Sequence, residues 1–309
     1  MKAWRFTSVD VGLTLSDVLS PEPGADEILI DVRAAGLCHT DVGILQGHGM
    51  RPPFTPITLG HEISGTIARL GATVTGWNVG DRVAVISDPT GPGISRNGGY
   101  AAQVIARPDE LVAVPDAVDD AVAALATDAG LTSYHAVLTQ ARVEANMKVG
   151  IIGLGGLGMI GARIASGAGA EVYAADIKQS LFPVAAEQGV SACSTTITDF
   201  TDRQLDVIID FAGMDTTTDA FKAIRPGGRV VQVGIGKPTA TVELLDVLLK
   251  QLEYVGSIIG TRDDLAGFLA LVAEGKVAPL VERIGFDDIG AGLERLERGE
   301  VVGRLVAVL

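Results

Sequence analysis

Residues 149–177, VGIIGLGGLGMIGARIASGAGAEVYAADI, decide the fold of this chain. Gly153, Gly155 and Gly158 have the GxGxxG spacing, but 39 of the 309 residues are glycine, so the spacing alone decides little. The context is more specific. The glycines follow a buried apolar strand and open a helix, and a second strand then ends at Asp176. This strand, loop, helix and strand unit predicts a dinucleotide-binding (Rossmann) fold.

Each residue of this loop has a predicted role toward a bound dinucleotide. Gly153 permits a tight turn, Gly155 and Gly156 let the backbone approach a pyrophosphate at the positive end of the helix, and Gly158 allows close helix packing. Asp176 is expected to accept hydrogen bonds from the adenosine ribose and to repel a 2′-phosphate, which favours NAD over NADP. The alternative for Asp176 is a solvated acid at a strand end.

The residues on either side of the loop form two kinds of pattern. After about residue 118, buried apolar runs such as KVGIIG, DVIIDFAG and GGRVVQVGI alternate with helices, which predicts a doubly wound parallel sheet. Before about residue 118, short β-like runs such as EILIDVRAAG, ISGTIARLG and GDRVAVIS are separated by turns. They predict a twisted or barrel-like β domain. The fold class is therefore α/β, with a second, β-rich domain.

Composition excludes several partner classes. The net charge of −14 argues against nucleic acid and anionic membranes, because both require clustered Lys and Arg. We find neither a signal-peptide core nor an apolar run of transmembrane length, and we expect a cytoplasmic protein without a membrane partner. The two cysteines, Cys38 and Cys193, cannot form a disulfide framework.

Cys38 and His61 are candidate zinc ligands, in GLCHTDVG and LGHEISG. Each also has an ordinary explanation, since a cysteine or a lone histidine is often a structural core residue. A catalytic zinc needs a third protein ligand, and Asp128 in LATDAGLTSYHA is the candidate because a thiolate and a carboxylate would neutralise Zn²⁺. The alternative for Asp128 is an N-cap, because it stands at an apparent helix start.

At these residues the chain resembles the zinc-dependent medium-chain alcohol dehydrogenases. CHTD resembles the first ligand motif of that family, GHEISGTIARLG its zinc signature and GIIGLGGLG its coenzyme loop, with further agreement at GDRV, GGY, IDFAG, GTRDDL and VVGR. The resemblance implies a GroES-like catalytic domain at residues 1–130, an NAD-binding Rossmann domain at 131–259 and a return segment at 260–309 that completes the catalytic domain. It also implies an active site in the cleft between the domains.

The resemblance also implies roles for individual residues. Cys38, His61 and Asp128 would bind one catalytic zinc. Glu62 would lie behind the metal, Asp41 would orient the ligand histidine, and Thr40 would contact the substrate oxygen and begin a proton relay. On the coenzyme, His39 and Arg304 would contact the pyrophosphate and Thr132 the nicotinamide. The alternative for His39 and Arg304 is a solvated charge.

The chain departs from the family in two places that bear on function. The usual relay histidine is replaced by Gly43, so the proton must leave through His48 or through water. The segment AVISDPTGPGISRN, residues 84–97, lacks the four cysteines that hold a structural zinc in many members, and we expect no second zinc there.

The combined prediction is a zinc-dependent alcohol dehydrogenase. It would oxidise a primary or secondary alcohol reversibly to an aldehyde or ketone by hydride transfer to NAD, and it would form a homo-oligomer through an exposed edge of its late strands. Two alternatives stay open at this point: a zinc-free quinone or enoyl reductase of the same superfamily, and a coenzyme-binding redox sensor without catalysis.

Overall fold

The structure is a computed structural model that describes residues 1–309 and groups them into two compact units. The first unit comprises Met1–Asp128, Leu265–Ala273 and Pro279–Leu309. The second unit comprises Ala129–Asp264 and Glu274–Ala278.

The predicted domain boundaries after residues 130 and 259 remain a sequence-based prediction, and the units differ from them at residues 129–130, 260–264 and 274–278. Residues 260–264 group with the second unit. Hydrogen bonds provide the reason, because the Asp264 carboxylate contacts His135 Nδ1 at 2.9 Å and accepts from Thr139 Oγ1 at 2.6 Å.

The structure contains sixteen strands. In chain order they are β1 (Lys2–Phe6), β2 (Leu13–Asp17), β3 (Ile28–Leu37), β4 (Ile57–Thr58), β5 (Glu62–Leu70), β6 (Arg82–Val85), β7 (Gln103–Ala106), β8 (Leu111–Ala113), β9 (Lys148–Ile152), β10 (Glu171–Ala175), β11 (Val190–Ser194), β12 (Leu205–Asp210), β13 (Ile224–Gln232), β14 (Glu253–Gly256), β15 (Val281–Gly285) and β16 (Arg304–Val308).

The α-helices are α1 (His39–Leu45), α2 (Asp120–Leu125), α3 (Leu131–Tyr134), α4 (Gly156–Gly167), α5 (Phe182–Glu187), α6 (Thr216–Ala223), α7 (Leu244–Lys250), α8 (Arg262–Ala273) and α9 (Ile289–Glu297). Short 3₁₀ turns occupy Pro108–Glu110, Gln179–Leu181, Ile197–Arg203 and Phe286–Asp288. None of the helices combines the length and the apolar composition needed to cross a bilayer.

The second unit contains the predicted parallel sheet. Its six strands lie in the order β11-β10-β9-β12-β13-β14, and every neighbouring pair is parallel. The strands are almost continuously apolar because residues on both sides of the sheet are buried, as in β9, where Val149, Ile151 and Ile152 are inaccessible. The prediction of a doubly wound α/β fold is confirmed.

The first unit is β-rich. A seven-stranded sheet has the order β15-β16-β3-β5-β6-β8, with β7 also paired to β3, and a three-stranded sheet has the order β2-β1-β4. The ten-residue strand β3 is its centre, and its pairing with β5 contains two register shifts of the kind that β-bulges produce. This confirms the β-rich domain predicted for the first part of the chain.

The structure corrects the prediction that Asp128 stands at a helix start. The helix begins at Asp120, and Asp119 caps it by accepting hydrogen bonds from the N–H groups of Ala121 and Val122. Asp128 lies eight residues further on, in a wider π-helical turn, Ala126–Gly130, within helical backbone. The buried apolar run before Asp128 extends the helix backward, so Asp128 has no free backbone amides to cap.

Candidate metal centre and coenzyme loop

Strand pairing in the first unit brings Cys38 and His61 together. Strands β3 and β5 are antiparallel, with Gly36 opposite Glu62, so the residue after the end of β3 lies beside the residue before the start of β5. Cys38 is also the residue that precedes helix α1. The π-helical turn supplies Asp128 to the same place.

Four potential metal donors meet in this unit. One ligand atom each from Cys38, His61, Glu62 and Asp128 lies within 4.8 Å of the others. The Cys38 thiol donates to Asp128 Oδ2 at 3.4 Å, and His61 Nε2 lies 3.5 Å from the same oxygen. Although both ring nitrogens of His61 are buried, neither has a hydrogen-bond partner. Orphaned buried nitrogens beside a thiol and carboxylates fit a bound cation.

The electrostatics of the cluster also favour a cation. Burial works against a charge on His61, but the carboxylates of Asp41 and Asp128 outweigh it and raise the pKa of His61 well above its ordinary value. Burial likewise opposes the charge on Asp128, yet His61 holds the pKa of Asp128 well below its usual range. The carboxylates around His61 therefore favour a positive charge at this position, as a bound metal cation would supply.

Glu62 is paired with Arg304 behind the cluster. The Arg304 guanidinium donates to Glu62 Oε1 and to the Leu37 carbonyl, and Arg304 is only 4% exposed. Burial raises the pKa of Glu62, and the positive charge of the adjacent Arg304 opposes this rise and favours the carboxylate. The carboxylate fills the space over Gly36, where a Cβ would lie 1.9 Å from Glu62 Oε2.

Asp41 and Tyr100 form the layer behind His61. Asp41 Oδ1 lies 3.3 Å from His61 Nδ1, while Oδ2 accepts from the Cys38 N–H at 3.2 Å and from the Tyr100 hydroxyl at 2.8 Å. The sequence analysis identified Asp41 and missed Tyr100. The only signal for Tyr100 was its place in the GGY motif, which says nothing about the partner of its hydroxyl.

The remaining predicted residues of the first unit lie on or after helix α1. Thr40 is half-buried, with its hydroxyl 3.7 Å from Cys38 Sγ, and His39 is exposed. The N–H of His48 donates to the carbonyl of Gly43 at 2.7 Å, so the backbone of His48 lies next to that of Gly43. The roles of His39, Thr40 and His48 stay predictions.

In the second unit the glycine loop joins β9 to α4. Gly153 has φ +86°, a left-handed conformation that glycine adopts without strain, and a Cβ on Gly158 would lie 1.8 Å from the Gly153 carbonyl oxygen. At Gly155, which caps α4, a Cβ would meet no atom within 4 Å. This open space at a helix N-terminus, where Gly156 is the first helical residue, suits an anionic group such as a pyrophosphate.

Asp176 and Thr132 complete the predicted coenzyme residues of this unit. Asp176 follows β10 directly, and its carboxylate accepts from the N–H groups of Leu154 at 2.6 Å and Lys178 at 2.8 Å. Asp176 is thus tied to the glycine loop itself. Thr132 lies buried in α3.

Two family models match the chain. Residues 24–116 match the "Alcohol dehydrogenase GroES-like domain", and residues 156–274 match the "Zinc-binding dehydrogenase" domain. Among curated proteins, an "Alcohol dehydrogenase" of Rhizobium meliloti (strain 1021) is 30% identical over 95% of this chain and 94% of its own length. A "NAD-dependent alcohol dehydrogenase" of Saccharolobus solfataricus is 27% identical, with full coverage of both chains.

Among solved structures, acetophenone reductase from Geotrichum candidum, in complex with NAD, is 34% identical and superimposes with a TM-score of 0.90. That comparison covers 100% of this chain and 97% of the reductase. The fold is that of a zinc-type medium-chain dehydrogenase. The chain belongs to the zinc-dependent alcohol dehydrogenase family.

Proposed function

We propose that the protein is an NAD-dependent, zinc-dependent alcohol dehydrogenase that interconverts a primary or secondary alcohol and the corresponding aldehyde or ketone. The proposal rests mainly on one observation: ligand atoms of Cys38, His61 and Asp128 lie within 4.8 Å of one another, and both buried nitrogens of His61 lack a hydrogen-bond partner. The glycine loop, in which the Leu154 N–H donates to Asp176, supports a dinucleotide as the coenzyme of the reaction. The curated relatives named as alcohol dehydrogenases support the same reaction class.

Cys38, His61 and Asp128 would hold one zinc ion, and their thiolate and carboxylate would balance its two positive charges. Bound zinc supplies Lewis acidity, which lowers the pKa of an alcohol. Asp41 orients the imidazole of His61, and Glu62 stays behind the ligands in its ion pair with Arg304. We propose no structural zinc, because residues 84–97 contain neither Cys nor His.

The other predicted residues handle the proton and the coenzyme. Thr40 takes the proton of the alcohol hydroxyl and passes it toward solvent, with His48 or water as the next acceptor. Bound NAD supplies the hydride acceptor. Gly153, Gly155, Gly156, Gly158, His39 and Arg304 would contact the pyrophosphate of NAD, Asp176 its adenosine ribose and Thr132 its nicotinamide.

The two cysteines provide a matched test. Cys38 belongs to the cluster, whereas Cys193 is half-buried on strand β11 of the other unit. We expect about one zinc per chain and alcohol-dependent formation of NADH in the wild type and in Cys193→Ser. Cys38→Ser should lose both while it still binds NAD. Full turnover of Cys38→Ser on a panel of primary and secondary alcohols would refute the zinc mechanism.

We further propose a homo-oligomer built on the free edge of the parallel sheet. Strand β14 pairs with β13 on one side only. Leu244, Leu245, Leu248 and Leu249 on nearby helix α7 are 64 to 79% exposed. A second copy of the chain fits this surface, because edge strands and apolar patches are both self-complementary across a two-fold axis. Replacing Leu245 and Leu248 with Lys should shift the protein to monomers in sedimentation velocity, and an unchanged oligomer would refute this interface.

A further inference from the structure

Tyr100 is the outermost group of a buried chain of polar contacts that leads to His61. Its hydroxyl donates to Asp41 Oδ2 at 2.8 Å and also lies 3.2 Å from the Gly36 carbonyl. A phenol has one proton, and the shorter bond to an ionised carboxylate is the stronger of the two. The other oxygen of Asp41 faces His61 Nδ1 at 3.3 Å. The order of contacts is therefore tyrosine, aspartate, histidine.

The position of the Tyr100 hydroxyl is fixed by its surroundings. The side chain of Tyr100 is fully buried. The backbone N–H of Tyr100 donates to the Leu59 carbonyl at 3.0 Å, and its backbone carbonyl accepts from the Trp4 N–H at 2.8 Å. The ring lies against Gly60, where a Cβ would come within 2.3 Å of Tyr100 Cδ1. Since Gly60 has φ +89°, a side chain there would also strain the backbone. Full burial, the contact with Gly60 and the two backbone hydrogen bonds therefore fix the ring beside Asp41.

Asp41 depends on this donor. It is completely buried, and its only other donor on Oδ2 is the Cys38 N–H at the longer distance of 3.2 Å. A buried carboxylate that loses a hydrogen bond reorients toward another donor, because water cannot replace the lost one. Burial and the charge of Asp41 raise the pKa of Tyr100 well above its ordinary value, so the phenol keeps its proton.

We propose that Tyr100 is a positioning residue that fixes the carboxylate of Asp41 and, through it, the ring orientation and tautomer of His61. With Asp41 held toward Nδ1, the proton of a neutral imidazole resides on Nδ1, and the lone pair of Nε2 is directed toward Cys38 and Asp128. The proposal rests on the proposed function, since it concerns the fit of the site to its metal. The hydroxyl of Tyr100 makes its hydrogen bonds to Asp41 and Gly36 and not to Cys38, His61 or Asp128.

The test is Tyr100→Phe, with Tyr173→Phe as the matched control. Tyr173 also donates to a carboxylate, Glu171 Oε1 at 2.6 Å, but it lies on β10 of the other unit. Zinc affinity is measured by competition with a chromophoric chelator, and ligand geometry from the visible absorption spectrum of the cobalt-substituted protein. We expect about tenfold weaker zinc binding and an altered cobalt spectrum in Tyr100→Phe, and wild-type behaviour in Tyr173→Phe.

Wild-type zinc affinity together with an unchanged cobalt spectrum in Tyr100→Phe would overturn the proposal. If that variant does not fold, p-fluorophenylalanine at position 100 fills the volume of the hydroxyl without donating a proton, and the same two measurements decide. A wild-type protein that takes up no zinc would instead refute the proposed function. The two failures are therefore distinguishable.

Discussion

Arg304 and Glu62, which are 242 residues apart in sequence, form an ion pair with both side chains buried. Strand β16 carries Arg304, strand β5 begins with Glu62, and both strands flank β3. Such a pair contributes little net stability over an apolar pair of the same volume, but breaking it from one side leaves a buried group without its partner.

We therefore predict a strong asymmetry between single and double substitutions at this pair. Arg304→Met should lower the free energy of unfolding by about 3 kcal/mol, because Glu62 then either stays charged without a partner or takes up a proton. Adding Glu62→Gln to Arg304→Met should recover part of this loss. Urea denaturation of the metal-free proteins measures the cycle, and strictly additive effects would show that the two residues do not interact.

Substitutions at two glycines of the coenzyme loop should affect different properties, one the stability of the fold and the other the binding of NAD. Gly158→Ala places a Cβ 1.8 Å from the Gly153 carbonyl oxygen and should cost about 3 kcal/mol of stability. Gly155→Ala points into open space and should change stability by less than about 0.5 kcal/mol. If the coenzyme occupies that space, Gly155→Ala should bind NAD at least about tenfold more weakly, or about 1.4 kcal/mol. Thermal unfolding and NADH fluorescence titration test both expectations.

Asp119 and Asp128 allow the cap and the ligand roles to be tested side by side. Asp119→Ala removes the N-cap of α2 and should lower stability by about 1 kcal/mol without loss of zinc. Asp128→Ala removes a predicted ligand and should abolish or greatly reduce the zinc content measured by mass spectrometry. Retention of a full zinc complement by Asp128→Ala would eliminate this residue as a ligand.

Asp264 should make the stability of the second unit sensitive to acid. Burial tends to raise the pKa of Asp264, but hydrogen bonds from Thr139, Thr261 and His135 outweigh it and lower that pKa below its ordinary value. A lowered carboxyl pKa stabilises the fold above the unfolded-state pKa, and this contribution is lost as the pH falls through the folded-state pKa. Asp264→Asn should therefore be about 2 kcal/mol less stable than wild type at neutral pH.

The difference between wild type and Asp264→Asn should shrink as the pH falls below about 4. The exposed neighbour Asp263 supplies the control, since Asp263→Asn should track the wild type at every pH. Denaturation midpoints across the acid range measure both variants. A difference that stays constant with pH would mean that the carboxylate charge of Asp264 does not contribute.

The sequence predicted the elements of this structure better than the contacts between them. The parallel strands and the glycine loop were predictable because a buried strand needs an apolar run and a close turn needs glycine, and both are local requirements. The ligand types at Cys38 and His61 were visible for a similar reason, since few residues offer a thiolate or an imidazole.

What the sequence left open depends on residues far apart in the chain. The placement of Asp128 was wrong because local propensity puts aspartate at helix starts, whereas the buried Ala and Leu residues before it extend the helix. The hydroxyl of Tyr100 meets an acid 59 residues earlier, and no spacing rule connects the two. Such contacts depend on the register between strands such as β3 and β5, and that register depends on the packing of the whole sheet.

Because Glu62 and Arg304 are far apart in the sequence, the parts of the site are synthesised at different times during translation. Cys38, His61 and Glu62 leave the ribosome well before β16 is synthesised, because chains are made from the N-terminus. Until then β3 lacks a neighbour on that side, and the Glu62 carboxylate has no guanidinium beside it. Glu62 therefore acquires its buried countercharge only after Arg304 has emerged, later than Cys38 and His61 are synthesised.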